Sequence, residues 1–366
     1  IYSDKTITSL HKNYDSFPIY NYTFYILIQM KVKVNKREIQ KMKSYTLICF
    51  FLSLTMILSP LISVDKVKDV LSKEILNETG NIEIIENVNV STVKVMSASS
   101  QNIIEINLKD YLLGVIAAEM NPTYHEEAIK AQIIASHTLL LYVKNHKSDH
   151  LGVADITDSS ASHQGFLTPD EQRKKWGENY DAYVAKLNKC IDEVMNITLQ
   201  YNGDYINSVF HAMSNGKTED AKDVWGGDYP YLKPVTSVGD TLSPAYISTL
   251  SFSKDTFKEK LKSYNIKFTD NPHEWIEKIA NTETGMVSTV NICGTTIKGT
   301  ELRTDLGLKS STFTVEYKND EFIFTVKGYG HGVGMSQYGA NHMANQGFTY
   351  DQILKHYYTG VEIKSN

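Results

Sequence analysis

Cysteine is scarce: three occur in 366 residues, at positions 49, 190 and 293, too few for a disulfide framework. Cys49 lies in an apolar segment, which leaves Cys190 and Cys293 either to pair or to stay as two buried free thiols. Positive charge is not in excess either. The formal net charge is −5 at pH 7, so there is no electrostatic case for nucleic acid as a partner. The Walker and dinucleotide glycine spacings are absent, which excludes a phosphate loop, and the 11 histidines form no HExxH pattern, which argues against a metallopeptidase. No internal repeat and no low-complexity linker divides the chain.

What is present is a globular composition, 42% hydrophobic and 22% charged. The 23 tyrosines suit a polar cleft that stacks sugars or peptides, and an ordinary core as well. Residues 44–64 (SYTLICFFLSLTMILSPLISV) carry no charge and are long enough to cross the roughly 30 Å hydrocarbon core of a bilayer. Lys31, Lys33, Lys36, Arg37, Lys41 and Lys43 precede that segment and place the N-terminus in the cytoplasm. With no clear small-residue cleavage site after it, an uncleaved single-pass anchor is expected. The division that follows is a cytoplasmic segment at 1–43, the anchor at 44–64, a stalk or first strand at 65–100, and one extracytoplasmic domain at 101–366. Met30 or Met42 is the expected start of translation, and residues 1–29 are set aside.

Within the domain the pattern is α+β. Residues 102–107 alternate like a strand, 108–120 turn helical, and 125–144 (HEEAIKAQIIASHTLLLYVK) form a strong helix. Residues 176–196 read as another helix, and Asn202-Gly203 between apolar alternations signals a hairpin. Helices are expected over 251–265 and 273–280, a helical turn and a hairpin over 299–330, and a helix running into a closing strand over 350–363. The predicted architecture is helices packed on mixed, largely antiparallel β structure around one cleft, preceded by a single N-terminal transmembrane helix.

Two stretches carry the chemistry. Glu119 stands directly after the apolar run YLLGVIAA, where a carboxylate is costly unless paired or protonated. Capping at the Asn121-Pro122 break is the bland reading; a general acid with a raised pKa is the functional one. Lys130 and His137, two helical turns apart, project from one side of the next helix and could face Glu119. Residues 328–347 (GYGHGVGMSQYGANHMANQG) hold glycines that let the backbone approach something closely. His331, Ser336 and Gln337 would then project from a tight surface, unless this is only a corner where helix meets sheet.

The stretches YLLGVIAAEM…EEAIKAQIIASHT and GYGHGVGMSQYGANHMANQGFTYDQILKHYYTGVEI resemble the stage II sporulation protein D family, which also includes the amidase-enhancer proteins. VFHAMSNGKTEDAKDVWGGDYPYLKPVTSVGD and GTELRTDLGLKSSTF resemble its middle segments in the same order, so the resemblance spans about residues 102–363. It implies a lytic transglycosylase that cuts glycan strands of peptidoglycan stripped of stem peptides during sporulation and engulfment. A cell-wall amidase and other engulfment membrane proteins would be its partners. The proposed catalytic acid of the family's A-x-E-M motif falls on Glu119. Lys130 matches a family lysine, whereas His137 stands where arginine is usual, a shorter and titratable ring for a fork donor. Ser214, Asn215 and Thr218 fall on the family's middle turn, and His331 and Gln337 on its C-terminal motif; all are substrate-binding candidates.

Some members of the family hold zinc in the loop after the second helix. Here Thr157 stands where a cysteine would be, and His150, His163, Asp155 and Asp158 make a poor structural zinc set without thiolate. No metal and no cofactor are expected. Two rivals to the enzyme remain: a non-catalytic activator of a cell-wall N-acetylmuramoyl-L-alanine amidase, and a wall-binding module in which Glu119 would be dispensable.

Overall fold

A computed structural model describes residues 92–365. The expected anchor at 44–64 and most of the segment leading to the domain lie outside the described residues. Among the described residues no helix is long and apolar enough to cross a membrane.

The described chain opens with strands β1 (Thr92–Met96) and β2 (Ile103–Asn107), an antiparallel pair in which Val93 and Val95 are buried. The packed body therefore already includes residues 92–96, so the described part of 65–100 opens with a first strand, one of the two alternatives the sequence allows for that segment. Helix α1 (Leu108–Glu119) follows without a break, and the Asn107 side chain caps it by accepting from the Asp110 N–H at 2.9 Å. Its apolar run, Tyr111 to Ala117, is buried as the sequence predicts. Helix α2 (Glu126–Asn145) is the centre of the first core. Its small and branched residues Ala128, Ala131, Ile133 and Ala135 are wholly inaccessible, so neighbours pack on nearly every side.

Beyond β3 (Ile156–Thr157), which pairs parallel to β1, come α3 (Pro169–Trp176) and α4 (Tyr180–Val194). The single helix expected over 176–196 thus starts later, after one 3-10 turn at Gly177–Asn179. Strands β4 (Ile197–Tyr201) and β5 (Asp204–Tyr205) form the hairpin predicted at Asn202-Gly203. Both turn residues have positive φ, the geometry that Asn-Gly supplies.

A second core is built from β7 (Ile247–Ser253), α6 (Lys254–Lys260), β8 (Ile276–Asn281), β9 (Val287–Ile292), β10 (Thr295–Lys298), α7 (Gly299–Leu306), β11 (Phe313–Lys318) and β12 (Glu321–Lys327). It holds two antiparallel sheets, ordered β10-β9-β8 and β11-β12-β7, around an aromatic cluster in which Phe257 stacks on Phe322 at 4.4 Å. Two expected helices are corrected here. Residues 251–253 extend β7, the α-helix covers only 254–260, and a 3-10 turn follows at Lys262–Tyr264. Residues 276–281 form strand β8 instead of a helix. The reason is a register shift between Ile276 and Lys278. With one extra residue in the strand, Ile276 and Ile279 share a face at a spacing that otherwise signals a helix turn.

Two short strands, β6 (Phe210–His211) and β13 (Met335–Ser336), pair in parallel and place His211 beside Ser336. This joint lays the glycine-rich motif against the turn after β6, which leads into the short helix α5 (Ala221–Trp225). Gly328 has φ of 77°, and a Cβ there would stand 2.8 Å from the Ser214 carbonyl oxygen and 2.9 Å from that of Met213. Glycine at 328 is therefore fixed by both conformation and close approach. Helices α8 (Gln337–Asn345) and α9 (Tyr350–Tyr357) return to α2, and β14 (Glu362–Ser365) closes on β4. The fold is mixed α+β with mostly antiparallel sheets.

Candidate active site

Glu119 is the last residue of α1, half-buried at a cavity of about 470 Å³. The loop facing it is tied down at several points. Gln164 Nε2 donates to Tyr111 Oη at 2.6 Å and to the Ser136 carbonyl at 3.1 Å. The Leu167 N–H donates to the Gly114 carbonyl at 3.0 Å, and Phe166 stacks on Tyr111. So anchored, Gly165 directs its N–H at Glu119 Oε1. A Cβ at Gly165 would stand 2.9 Å from that oxygen, so glycine here is a matter of space. Gln337, at the start of α8, lines the cavity beside the carboxyl, acts on it, and donates to Gln132 on α2 at 3.3 Å. Lys175 stands nearby, its ammonium donating to the Ala117 carbonyl at 2.7 Å. Burial raises the Glu119 pKa above the ordinary glutamate value, against the opposing pull of the Gly165 N–H, Lys175 and Gln337.

Two histidines and an arginine complete the lining. His331 accepts the Val333 N–H on Nδ1 at 3.1 Å, with the Phe210 backbone close by. Burial, with His211 and Arg303 beside it, pushes its pKa down to about 3. It is neutral at physiological pH, with Nδ1 committed to the Val333 N–H. His211 differs. Its Nδ1 stands 3.0 Å from the Val333 carbonyl, which can only accept, so the proton is on Nδ1. Its Nε2 is buried without a partner, and burial holds its pKa below the usual histidine value. Arg303 comes from α7 in the second core. Nε donates to the Leu308 carbonyl at 3.3 Å, and no carboxylate among the described residues stands against the half-buried guanidinium.

The middle turn is structural in its contacts. Asp240, wholly buried, accepts from the Ser214 N–H at 2.7 Å, Ser214 Oγ at 2.6 Å and Ser336 Oγ at 2.7 Å. Asn215 Nδ2 donates to the Thr284 carbonyl at 2.9 Å, and Thr218 Oγ1 accepts the Val235 N–H at 2.8 Å. Ser214 and Asn215 line a narrower crevice that shares His331 with the cavity. Glu219 is buried in that crevice, with its carboxyl held by Thr282 and Thr284. Burial raises its pKa.

Of the sequence candidates, Glu119, His331 and Gln337 meet at the cavity; Lys130 and His137 do not line it. Lys130 is clamped between Glu127 at 2.9 Å and Glu193 of α4 at 2.6 Å. His137 is buried against the Met195 backbone, and that burial pushes its pKa down to about 4. The helix face carrying both packs on the α4 side. In the loop after α2, His163 Nδ1 stands 2.8 Å from Thr157 Oγ1, and the ring lines the cavity. Cys190 and Cys293 are both free. Reading the sequence missed His211 and Arg303. The neighbourhoods quoted for the resemblance, VFHAMSNG and GTELRTDLGLKSSTF, contain them, but no local pattern shows that they meet.

The stage II sporulation protein family model matches residues 97–201. Stage II sporulation protein D of Bacillus subtilis (strain 168) is 35% identical over 274 residues, covering 74% of this chain and 78% of that protein. The stage II sporulation protein D of Bacillus amyloliquefaciens is 36% identical over 275 residues, with the same shares of 74% and 78%. A more distant similarity, 26% over 312 residues, is to the amidase enhancer of Bacillus subtilis (strain 168), of which the match covers 40% and of this chain 69%.

Proposed function

The chain belongs to the stage II sporulation protein D family, and from that premise we propose that it is a lytic transglycosylase acting on peptide-stripped glycan strands of peptidoglycan during sporulation. The observation that carries this reading is the setting of Glu119, a carboxyl at a cavity wall whose pKa is raised by burial. A general acid needs its proton near neutral pH, and burial shifts the carboxyl in that direction.

In the proposed reaction the Glu119 carboxyl gives its proton to the glycosidic oxygen between N-acetylmuramic acid and N-acetylglucosamine, and the C1–O bond breaks. The carboxylate left behind accepts the proton of the muramic acid 6-hydroxyl, whose oxygen bonds to C1. The products are a strand with a free 4-hydroxyl and a 1,6-anhydro end, and the acid is regenerated with no water consumed. A single carboxyl suffices, unlike the paired carboxylates of hydrolytic glycosidases. The Gly165 N–H and Gln337 hold the carboxyl at the cavity wall and stabilise its transient anion. The segment 44–64 would anchor the enzyme in the membrane with this body outside the cytoplasm, beside an amidase and other engulfment membrane proteins.

Mass spectrometry of peptide-free strands incubated with the protein and with Glu119→Ala tests the reading. Anhydro-muramyl ends formed by the first protein alone are expected; reducing ends would instead mean hydrolysis. The similarity to an amidase enhancer favours one second reading, activation of a cell-wall amidase without catalysis. It would be supported by unaltered strands together with a stimulated amidase.

A further inference from the structure

We propose that Arg303 determines which glycan strands enter the site. Its guanidinium holds the free carboxylate that the muramic acid lactyl ether carries once its stem peptide has been removed. The inference rests on the glycan-cleaving reading and names the residue that makes it selective.

The observation is an unbalanced charge. Among the described residues that line the cavity, Arg303 is the sole permanent cation, and no side-chain carboxylate stands against it. Its neighbours His211 and His331 are neutral, so they neither compete for an anion nor add charge. A guanidinium taken partly out of water without a counter-ion is unfavourable, and stability alone gives no reason to keep one. The hydrogen bond from Nε to the Leu308 carbonyl fixes the group from one side and leaves the terminal nitrogens for a planar, two-oxygen ligand. Glu119 lines the same cavity and is not among the groups acting on Arg303. The site thus separates an acid for bond cleavage from a cation for recognition.

In a glycan strand the matching group is the lactyl carboxyl. While a stem peptide is attached that carboxyl is a neutral amide, and the peptide adds bulk at the same point. Amide hydrolysis turns it into a carboxylate. Recognition by Arg303 therefore places this reaction after one that hydrolyses the lactyl–peptide amide.

The test compares three substrates with the full chain: peptide-free strands, the same strands with lactyl carboxylates converted to carboxamides, and peptide-bearing strands. Equilibrium binding to Glu119→Gln and kcat/KM of the unaltered enzyme are both measured. The carboxylate strand should be favoured over the carboxamide by roughly tenfold to a hundredfold, the range of a charge-assisted pair. Arg303→Gln should bring that ratio close to one, and Arg303→Lys should restore part of it. An unaltered protein that does not distinguish carboxylate from carboxamide would overturn the proposal, whether or not the variants fold. So would Arg303→Gln retaining the full ratio. A preference for peptide-bearing strands that Arg303→Gln abolishes would also overturn it, because the carboxylates read would then be those of the peptide. If no strand is cleaved, the transglycosylase reading fails, while the binding ratio still decides the role of Arg303.

Discussion

Asp240 and Glu119 are carboxylates of the same body, and the protein treats them in opposite ways. Asp240 is inaccessible and receives one backbone and two hydroxyl donors, which tie the Ser214 turn to the start of α8. Glu119 stands at a cavity wall with one backbone donor and Gln337, and burial still raises its pKa. Around Glu119 are other groups short of partners, the His211 Nε2 and the Arg303 guanidinium. A satisfied carboxylate holds the fold together, whereas a cluster of unsatisfied groups is left to meet a ligand.

The largest effect that would sharpen this contrast is at Glu119. Glu119→Gln should lower glycan cleavage by about 10²–10⁴-fold, the usual contribution of a general acid. Its thermal midpoint at neutral pH should not fall. A carboxyl with a raised folded-state pKa costs stability above its unfolded pKa, and the amide removes that cost.

At Asp240 the dependence reverses. Asp240→Asn replaces acceptor capacity with donors facing donors, and a loss of about 3 kcal/mol in urea unfolding is expected, with activity falling only as folded protein is lost. A stable but inactive Asp240→Asn would break the comparison, because Asp240 would then belong to the chemistry.

Acid tests the buried histidines. The folded pKa of His137 is depressed to about 4, so the native state binds fewer protons than the unfolded chain, whose histidines titrate near 6.5. Stability should fall as pH is lowered from about 6.5 towards 4, by up to about 3 kcal/mol from this residue. His137→Gln should flatten that limb in a pH series of unfolding midpoints. His211 and His331 act in the same direction.

Gly328→Ala should cost about 1–3 kcal/mol, from positive φ and from crowding of the Ser214 and Met213 carbonyls. Smallest is Lys130→Met. Its ion pairs with Glu127 and Glu193 are partly covered and methionine keeps the apolar stem in place, so about 1 kcal/mol is expected, with KM unchanged. A raised KM would return Lys130 to the substrate site.

Local pattern carried much of this architecture. The apolar run of α1, the long helix α2 and the Asn202-Gly203 turn could all be read in order, and so could the oddity of Glu119. Strand β8 could not, because the register shift near Glu277 gives a strand the apolar spacing of a helix. The side of α2 that bears Lys130 was legible, but what packs there was not, since Glu193 arrives from α4. His211 and Arg303 were hidden for a related reason. Their interest lies in partners they lack, and that depends on which distant segments come together.

The central claim is that the fold leaves the Glu119 carboxyl in a setting that favours its proton. Titration of that carboxyl by NMR in protein carrying 13C-labelled glutamate, with the resonance assigned by its loss in Glu119→Gln, tests this most directly. The account predicts a midpoint above the ordinary glutamate value of about 4.3. A midpoint at or below that value would show that the fold does not favour the proton on this carboxyl, and would contradict the account of Glu119 as the acid.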